Sequence, residues 1–415
     1  MGANMYNVLV ADDEPAVIDS ATTYIRQIAQ RFRDNVQIFP AESASEVLDT
    51  LSKHKIDVVF LDYHFQGGMN GDEIIDRMKD PFDNKLVILM SGRGQNEIEG
   101  VITKRHKHMG TRFRFLRKPF DELEIKAKYF EIEQFFSSQP YPFPLAYPKQ
   151  ILSASLTGQR KIAAIKDLVE SLLKYGVALI MSDLSRLKIV DGLQLTIKLH
   201  HELTLGAWLQ WFDQVIRYFT PHLADAHMPE LIELFESGDG ASPNIHLRRM
   251  YEFKEYRDKE YAHGFMAEDD KYTLVANRYK PELELLLQSL RFTSRYTLFT
   301  PVYLGFAGDG SGDFAYEVKV LMGTETVFVH SHIQLPMRLN IGEIYSYNPG
   351  GACLALSPFF TYQLCETCGT QRFYILDRIL PSQLEYNCFC NHRRFDKRAR
   401  SEFDAKFGKI VGKGP

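Results

Sequence analysis

The sequence lacks any apolar segment long enough to cross a membrane. A membrane-spanning helix needs about 20 consecutive apolar residues, whereas Val177–Met181 is typical of the longest apolar runs in this chain. Near the N-terminus, Asp12 and Asp13 interrupt the first apolar run, so the pattern of a secretory signal peptide is also missing. We therefore expect a cytoplasmic protein that has no membrane partner.

The chain also has few cysteines and no net positive charge. The chain has 415 residues and five cysteines, all after position 352, which excludes the disulfide framework of a small secreted domain. The formal net charge is -4, and we find no helix-turn-helix string and no basic recognition helix, so a transcriptional output is disfavoured. The apolar (45%) and charged (25%) fractions are those of a soluble globular protein, and the length predicts two or three domains.

The first 138 residues have the pattern of an α/β domain. Short apolar runs of β type alternate with segments of helical periodicity, and three of these runs are continuously apolar, as in parallel strands buried on both faces. The strand candidates are Asn7–Ala11, Val36–Phe39, Val58–Leu61, Leu86–Met90 and Arg112–Leu116, and the helix candidates between them include Ala16–Arg31, Ser45–Lys53 and Gly71–Met78. This order predicts a doubly wound, flavodoxin-like sheet with ligands at the carboxyl ends of its strands.

Polar side chains stand at the predicted carboxyl ends of four strands. Asp12 and Asp13 follow the first strand, and Asp62 ends the third. Because these ends meet at one edge of a parallel sheet, the carboxylates would repel one another unless a cation neutralised them, and Mg²⁺ with its preference for oxygen ligands suits that role. Ser91 and Lys118, after the fourth and fifth strands, add a hydroxyl donor and a fixed cation. A carboxylate nucleophile, a metal and donors for phosphoryl oxygens together predict phosphoryl transfer.

These motifs carry a family resemblance. The acidic doublet Asp12-Asp13, then Phe60-Leu-Asp62, Met90-Ser-Gly92 and Lys118-Pro119, resemble in order and spacing the receiver domain of two-component response regulators, a CheY-like family. The resemblance implies that Asp62 is the phosphate acceptor, supplied by a histidine kinase or a phosphotransfer protein in a phosphorelay of bacterial signalling. It implies a protein that switches a non-transcriptional C-terminal output.

The same resemblance implies roles for further residues. The implied Mg²⁺ ligands are Asp12, Asp13, Asp62 and the backbone carbonyl of His64. The implied switch residues are Ser91, Lys118 and Phe115, and receivers commonly have a cis peptide bond where this chain has Lys118-Pro119. The loop between Asp62 and Gly71 lacks the Met-Pro pair that is common in the family, and the stretch from Ser91 to Lys118 is longer than usual.

A proline-rich stretch follows the α/β pattern. Residues 139–148 include four prolines, which cannot continue a helix and favour an extended, stiff path. We therefore predict a linker over residues 139–150.

Residues 151–292 are predicted to be helical. Two apolar stripes at three- and four-residue spacing, Ile162–Val177 and Trp208–Phe219, indicate the core of a bundle. Within it, Arg257 and His263 resemble the Arg-polar-x-His motif of HEPN domains, which implies a metal-independent ribonuclease in which two paired protomers act on RNA. Such an effector, gated by the receiver in stress or phage defence, is the alternative function. The competing interpretation is a capped structural helix that ends at Gly264, with His263 favoured by the helix dipole.

Residues 293–395 are predicted to form a β-rich domain that holds a zinc site. Cys365 and Cys368 flank a short turn, and Cys388 and Cys390 follow after a gap of 19 residues, which suits tetrahedral Zn²⁺ of structural type, with His392 as a substitute ligand. A redox Cys-x-x-Cys pair and unligated thiols are the alternatives. Residues 396–415 are predicted to be a basic tail, for which RNA is a candidate partner.

Overall fold

The computed structural model describes residues 5–32, 34–54, 56–65, 69–78, 85–92, 112–138, 140–189, 195–197, 204–236, 244–261, 269–306, 313–324, 328–348, 351–390, 392–408 and 411–413. The chain divides into two compact units. Unit 1 comprises residues 1–139 together with Arg291–Tyr296 and Pro349–Ala352, and unit 2 comprises the remainder.

Unit 1 contains a five-stranded parallel sheet. Its strands are β1 Met5–Ala11, β2 Asn35–Ala41, β3 Val58–Asp62, β4 Leu86–Ser91 and β5 Phe113–Arg117. Their order in the sheet is β2-β1-β3-β4-β5, and every pairing is parallel. The five predicted strands and the flavodoxin-like sheet are thus confirmed.

Helices cover both faces of this sheet. They are α1 Pro15–Phe32, α2 Ala44–Lys53, α3 Gly71–Arg77 and α4 Glu122–Ser138. Successive residues of a strand point to opposite faces, so Val8 and Val10 join the core beneath α1 and α4, while Leu9 and Ala11 join the core beneath α2 and α3. Burial on both faces explains why the sequences of β1, β3 and β4 are largely continuous runs of apolar residues.

A distant segment completes unit 1. Arg291–Tyr296 belongs to this unit although about 150 residues separate it from the end of α4. The guanidinium of Arg295 lies 2.8 Å from the carboxylate of Asp57, and these side chains are 6% and 2% exposed. Asp57 directly precedes β3 and also accepts a hydrogen bond of 2.9 Å from the backbone N–H of Asn7. This ion pair therefore lies at the amino end of the sheet, away from the carboxyl edge.

Unit 2 begins with a helical part. Its helices are α5 Phe143–Ala154, α6 Gly158–Leu187, α7 Leu205–Phe219, α8 Pro229–Phe235, α9 Ile245–Tyr256 and α10 Asp269–Ser289, with a π-turn at Arg257–Tyr261 and a 3₁₀ helix at Thr220–Asp225. Both predicted apolar stripes are buried, on α6 and α7 respectively. The helices predicted for this region are present, but helices alone do not identify a family.

The expected extended path at residues 139–150 is wrong, because α5 begins at Phe143 and continues to Ala154. Pro144 lies in the first turn, where a backbone N–H would have no intrahelical acceptor. Only Pro148, inside the helix, gives up a helical hydrogen bond. Burial of the apolar face, including Phe143, Leu145 and Leu152, compensates for that loss.

The rest of unit 2 is mainly antiparallel β-structure. One sheet has the order β11-β10-β7-β8-β9, formed by β7 Thr297–Phe306, β8 Phe314–Val320, β9 Val329–Leu335, β10 Tyr345–Tyr347 and β11 Cys353–Ala355. A second has the order β12-β13-β14-β15, formed by β12 Phe360–Cys365, β13 Thr370–Ile379, β14 Leu384–Cys388 and β15 Arg393–Asp396. Two short strands, β6 Leu195–Ile197 and β16 Val411–Lys413, pair in parallel.

The C-terminal residues are not simply a solvated basic tail. Helix α11 spans Lys397–Phe407, and its Phe403 and Phe407 are fully buried against Phe359. The basic residues of this segment predict a solvated tail. Phe403 and Phe407, four positions apart, define an apolar helical face that this prediction did not include.

Among the described residues, no helix is both long enough and apolar enough to cross a bilayer.

Candidate functional site

Three aspartates meet at the carboxyl edge of the sheet in unit 1. Strands β1 and β3 are neighbours, and Ala11 pairs with Leu61, so the residues that follow, Asp12 and Asp62, stand side by side. Carboxylate oxygens of Asp12, Asp13 and Asp62 all lie within 4.8 Å of one another. Asp12 is 0% and Asp62 is 3% exposed. The predicted acidic cluster is thus formed.

Lys118 supplies a cation to this cluster. Its Nζ lies 2.6 Å from Oδ2 of Asp12 and 2.7 Å from Oδ1 of Asp62. The backbone N–H of Lys118 donates to the carbonyl of Ser91 over 2.8 Å, which ties the end of β5 to the end of β4. The peptide bond between Lys118 and Pro119 is cis, as the sequence resemblance implied.

Burial dominates the electrostatics of the site. It raises the pKa of Asp12 and of Asp62, against the opposing hydrogen bonds from Lys118, and the neighbouring carboxylates raise both pKa values further. Burial acts to lower the pKa of Lys118, but the hydrogen bonds to Asp12 and Asp62 outweigh it, so that this pKa is raised. One ammonium therefore faces three carboxylates, and the donor set fits an additional hard divalent cation such as Mg²⁺.

The loop after β3 is held against Asp62. The backbone N–H of His64 donates to Oδ2 of Asp62 over 3.1 Å, which places His64 at the same edge. The N–H of Gly71 donates to the carbonyl of Tyr63 over 2.9 Å. A Cβ at Gly71 would stand 2.8 Å from the carbonyl oxygen of Asp62, so only glycine allows this close approach. Sequence reasoning overlooked Gly71 as a site residue, although its position at the start of a predicted helix was visible.

Two of the three predicted switch residues, Ser91 and Phe115, lie on neighbouring strands. Ser91 ends β4 and is buried, one position beyond Met90, which pairs with Asp62. Phe115 lies in β5 opposite Leu89 and packs, partly buried, against the core beneath α2 and α3. Their positions at the end of β4 and within β5 match the sequence prediction, and their roles remain predictions.

The predicted ribonuclease pair is only partly described. Arg257 follows α9 and binds the carboxylate of Asp258 through Nε at 2.9 Å and Nη2 at 2.5 Å. Its side chain lines a polar cavity of about 540 Å³, together with charged residues of α6 such as Lys174. His263 lies outside the described residues.

Cysteines and a histidine cluster at one end of the second sheet of unit 2. Cys365 ends β12 and Cys388 ends β14, and their sulfurs and one ring nitrogen of His392 lie within 4.8 Å of one another. Nδ1 of His392 is 3.4 Å from Sγ of Cys365 and 3.1 Å from Sγ of Cys368. Cys390 is exposed and Cys353 is partly buried. Of the five predicted ligands, Cys365, Cys388 and His392 thus form one cluster, and Cys368 lies next to His392; their role as zinc ligands remains a prediction.

Comparison with known proteins agrees with the geometry of unit 1. A family model described as "Response regulator receiver domain" matches residues 8–130. The sporulation initiation phosphotransferase F of Bacillus subtilis (strain 168) is 34% identical over 94 residues, which are 23% of this chain and 71% of that protein.

Solved structures also resemble the N-terminal third. The chemotaxis response regulator CheY4 of Vibrio cholerae is 19% identical and aligns with 31% of this chain and 99% of its own, with a TM-score of 0.25. A two-component transcriptional regulator AraC from Clostridium phytofermentans ISDg is 22% identical and aligns with 31% of this chain and 94% of its own, with a TM-score of 0.27. Receiver domains typically use Mg²⁺ at an acidic cluster of the kind that Asp12, Asp13 and Asp62 form. Through its N-terminal domain, this chain belongs to the response regulator receiver family.

Proposed function

We propose that the protein accepts a phosphoryl group on Asp62, in a Mg²⁺-dependent step, and thereby switches an output in the rest of the chain. The donor would be a histidine kinase or a phosphotransfer protein. The observation that carries the proposal is the position of Asp62, a buried carboxylate grouped with Asp12 and Asp13 and contacted by Lys118 Nζ at 2.7 Å.

The chemistry follows from these contacts. A carboxylate oxygen of Asp62 attacks the phosphorus of the donor, a P–O bond forms, and the P–N bond to the donor histidine breaks with its electron pair returning to the imidazole. Asp12, Asp13, Asp62 and the carbonyl of His64 would hold Mg²⁺, which would supply positive charge to offset the negative charge of the phosphoryl oxygens. Lys118 already contacts Asp62 and can pair with the incoming oxygens.

The output would be switched by the groups next to the acceptor. Ser91 would donate its hydroxyl to the phosphoryl group, and Phe115, on the adjacent strand, would reorient in response. Such a change would alter the face formed by β5 and the helix α4 that follows it, a two-state element of the kind that phosphorylation biases.

Intact-mass analysis after incubation with acetyl phosphate and Mg²⁺ tests the proposal. We expect wild type to gain the mass of one phosphoryl group and Asp62→Ala to gain none. Asp49→Ala is the matched control, because Asp49 is an exposed aspartate on α2 that pairs with the exposed Lys53. An adduct that persists in Asp62→Ala would contradict the assignment of the acceptor.

We also propose that unit 2 binds a structural zinc ion at the cysteine cluster. The support is the approach of thiol sulfurs and His392 Nδ1 to within 3.1–3.4 Å, close enough for a shared tetrahedral ion. A redox pair is less consistent with the fold, because Cys365 and Cys368 precede strand β13, whereas a redox Cys-x-x-Cys normally opens a helix.

The alternative output is a HEPN-type ribonuclease that acts on RNA as a homodimer. Its support is the side chain of Arg257, which lines a polar cavity in unit 2. Asp258 opposes it, because its carboxylate pairs with that guanidinium and would repel a phosphate. RNA cleavage that is lost in His263→Ala and changed by phosphorylation would favour this output. Absence of cleavage by both the phosphorylated and the unphosphorylated wild type would exclude it.

A further inference from the structure

The cysteine cluster offers five side chains for the four positions of a tetrahedral ion. They are Cys365, Cys368, Cys388, Cys390 and His392. Building on the zinc proposal above, we infer that the ligands are Cys365, Cys368, Cys388 and His392, and that Cys390 remains an exposed thiol outside the coordination sphere.

Distances between the donor atoms carry the inference. Zn–S bonds of about 2.3 Å and a Zn–N bond of about 2.0–2.1 Å at tetrahedral angles place a sulfur and a nitrogen roughly 3.5 Å apart. Nδ1 of His392 lies 3.4 Å from Sγ of Cys365 and 3.1 Å from Sγ of Cys368, both near that spacing. Cys388 joins Cys365 and His392 within 4.8 Å. The imidazole of His392 therefore lies close to the sulfurs of all three cysteines.

The local backbone explains why position 390 is left out. Cys388 ends β14, and its N–H donates to the carbonyl of His392 over 3.1 Å. This bond brings residues 388 and 392 together, and Cys390 lies between them in the sequence. Cys365 and Cys388 are buried, whereas Cys390 is exposed, although its thiol hydrogen-bonds with the sulfur of Cys368. A tight turn, with Gly369 at φ +67°, follows Cys368 and leads into β13.

Charge also favours three thiolates over four. Zn²⁺ with three thiolates and a neutral imidazole carries one negative charge, while four thiolates would carry two. The guanidinium of Arg372, which interacts with the sulfurs of Cys368, Cys388 and Cys390, offsets the single negative charge of the first set in full, whereas the second set would keep one negative charge. Binding would form three Zn–S bonds and one Zn–N bond and release the protons of three thiols.

Metal content of the purified full-length chain tests the inference. We expect one equivalent of zinc in wild type and in Cys390→Ser, and binding weaker by more than about tenfold in His392→Ala, measured by competition with a chromophoric chelator. Zinc that is retained by His392→Ala and lost from Cys390→Ser would overturn the ligand assignment. Absence of zinc from wild type would overturn the zinc proposal itself, so the two failures are distinct.

Two measurements on folded, metal-loaded protein cover the case in which His392→Ala does not fold. The visible spectrum of the Co²⁺-substituted wild type should be that of three thiolates and one nitrogen, and a four-thiolate spectrum would contradict the inference. In the zinc-loaded protein, a maleimide should label Cys390, and this labelling should disappear in Cys390→Ser. A protected Cys390 would place it in the coordination sphere and contradict the inference as well.

Discussion

At the scale of single residues, the acidic site depends on one lysine. Lys118 has only a small exposed fraction and contacts both Asp12 and Asp62, which are buried. Removing one partner of a buried ion pair leaves an uncompensated charge, which costs far more than the loss of an exposed pair. We therefore expect the stability of the metal-free site to depend on this ammonium.

We predict that Lys118→Met lowers the free energy of unfolding by about 3 kcal/mol in metal-free buffer. The loss should shrink when Mg²⁺ is added, because the ion replaces part of the missing positive charge. Urea unfolding with and without Mg²⁺ measures both effects. Lys53→Met is the matched control, since Lys53 is an exposed lysine paired with an exposed aspartate and should change stability little. An equal loss in both variants would contradict the prediction.

The raised pKa values of Asp12 and Asp62 make stability depend on pH and on metal. Because these folded-state pKa values lie above those in the unfolded chain, the folded protein binds more protons between the two, and its metal-free stability falls as the pH rises through that window. Mg²⁺ competes with those protons. We therefore predict that Mg²⁺ at ten times its Kd stabilises the protein by about 1.4 kcal/mol at neutral pH, and by less at acid pH.

Thermal unfolding across this pH range, with Mg²⁺ and with Mg²⁺ replaced by a chelator, measures the effect. Asp13→Asn should reduce the stabilisation by Mg²⁺, since it removes one carboxylate of the cluster. A stabilisation that grows toward acid pH would argue against these carboxylates as the metal ligands.

At the scale of secondary-structure elements, the sequence predicted unit 1 well because its signals are local. Strand β3 is an apolar run that ends in Asp62. Helix α2 begins directly after Ser43, whose side chain caps it. Helix α5 does not follow from the sequence pattern, because prolines usually interrupt a helix. Here Pro142 precedes the helix and Pro144 lies in its first turn, where proline is tolerated. The contact between Asp57 and Arg295 was also missed, because no local pattern encodes a partner 238 positions away.

The start of α3 yields a prediction at this scale. Gly71→Ala would bring a Cβ to 2.8 Å from the carbonyl oxygen of Asp62 and to 3.1 Å from Cα of Tyr63, and neither backbone atom can move freely. We expect a loss of about 1–3 kcal/mol of stability and slower phosphorylation by acetyl phosphate. Gly92→Ala is the control, because a Cβ there meets nothing within 4 Å. Equal behaviour of the two variants would show that the close approach is not required.

At the scale of the whole molecule, unit 1 is built from segments that are far apart in the chain. Arg291–Tyr296 belongs to it, and the ion pair between Arg295 and Asp57 lies at the amino end of its sheet. We predict that Arg295→Met in the full chain lowers the free energy of unfolding by about 3–5 kcal/mol, because it removes the guanidinium that pairs with the buried carboxylate of Asp57.

A second variant separates charge from packing. Asp57→Asn combined with Arg295→Met should recover much of the loss, since it removes the stranded charge. Arg31→Met, at an exposed ion pair with Glu122, should be nearly neutral. Denaturant unfolding of wild type, Arg295→Met, Asp57→Asn and the double variant gives the coupling energy. A double variant as unstable as Arg295→Met alone would indicate a packing role for the arginine.

The return of Arg291–Tyr296 to unit 1 limits how this regulator can be recombined with others. In a modular arrangement, a receiver could be exchanged as a cassette by splicing the gene once after α4. Here a chimera that replaced only residues 1–138 would place the foreign sheet against Arg295, which pairs with Asp57 in this chain. Receivers can be exchanged in this protein only if the graft also carries an acid at the position of Asp57, or if position 295 is changed with it.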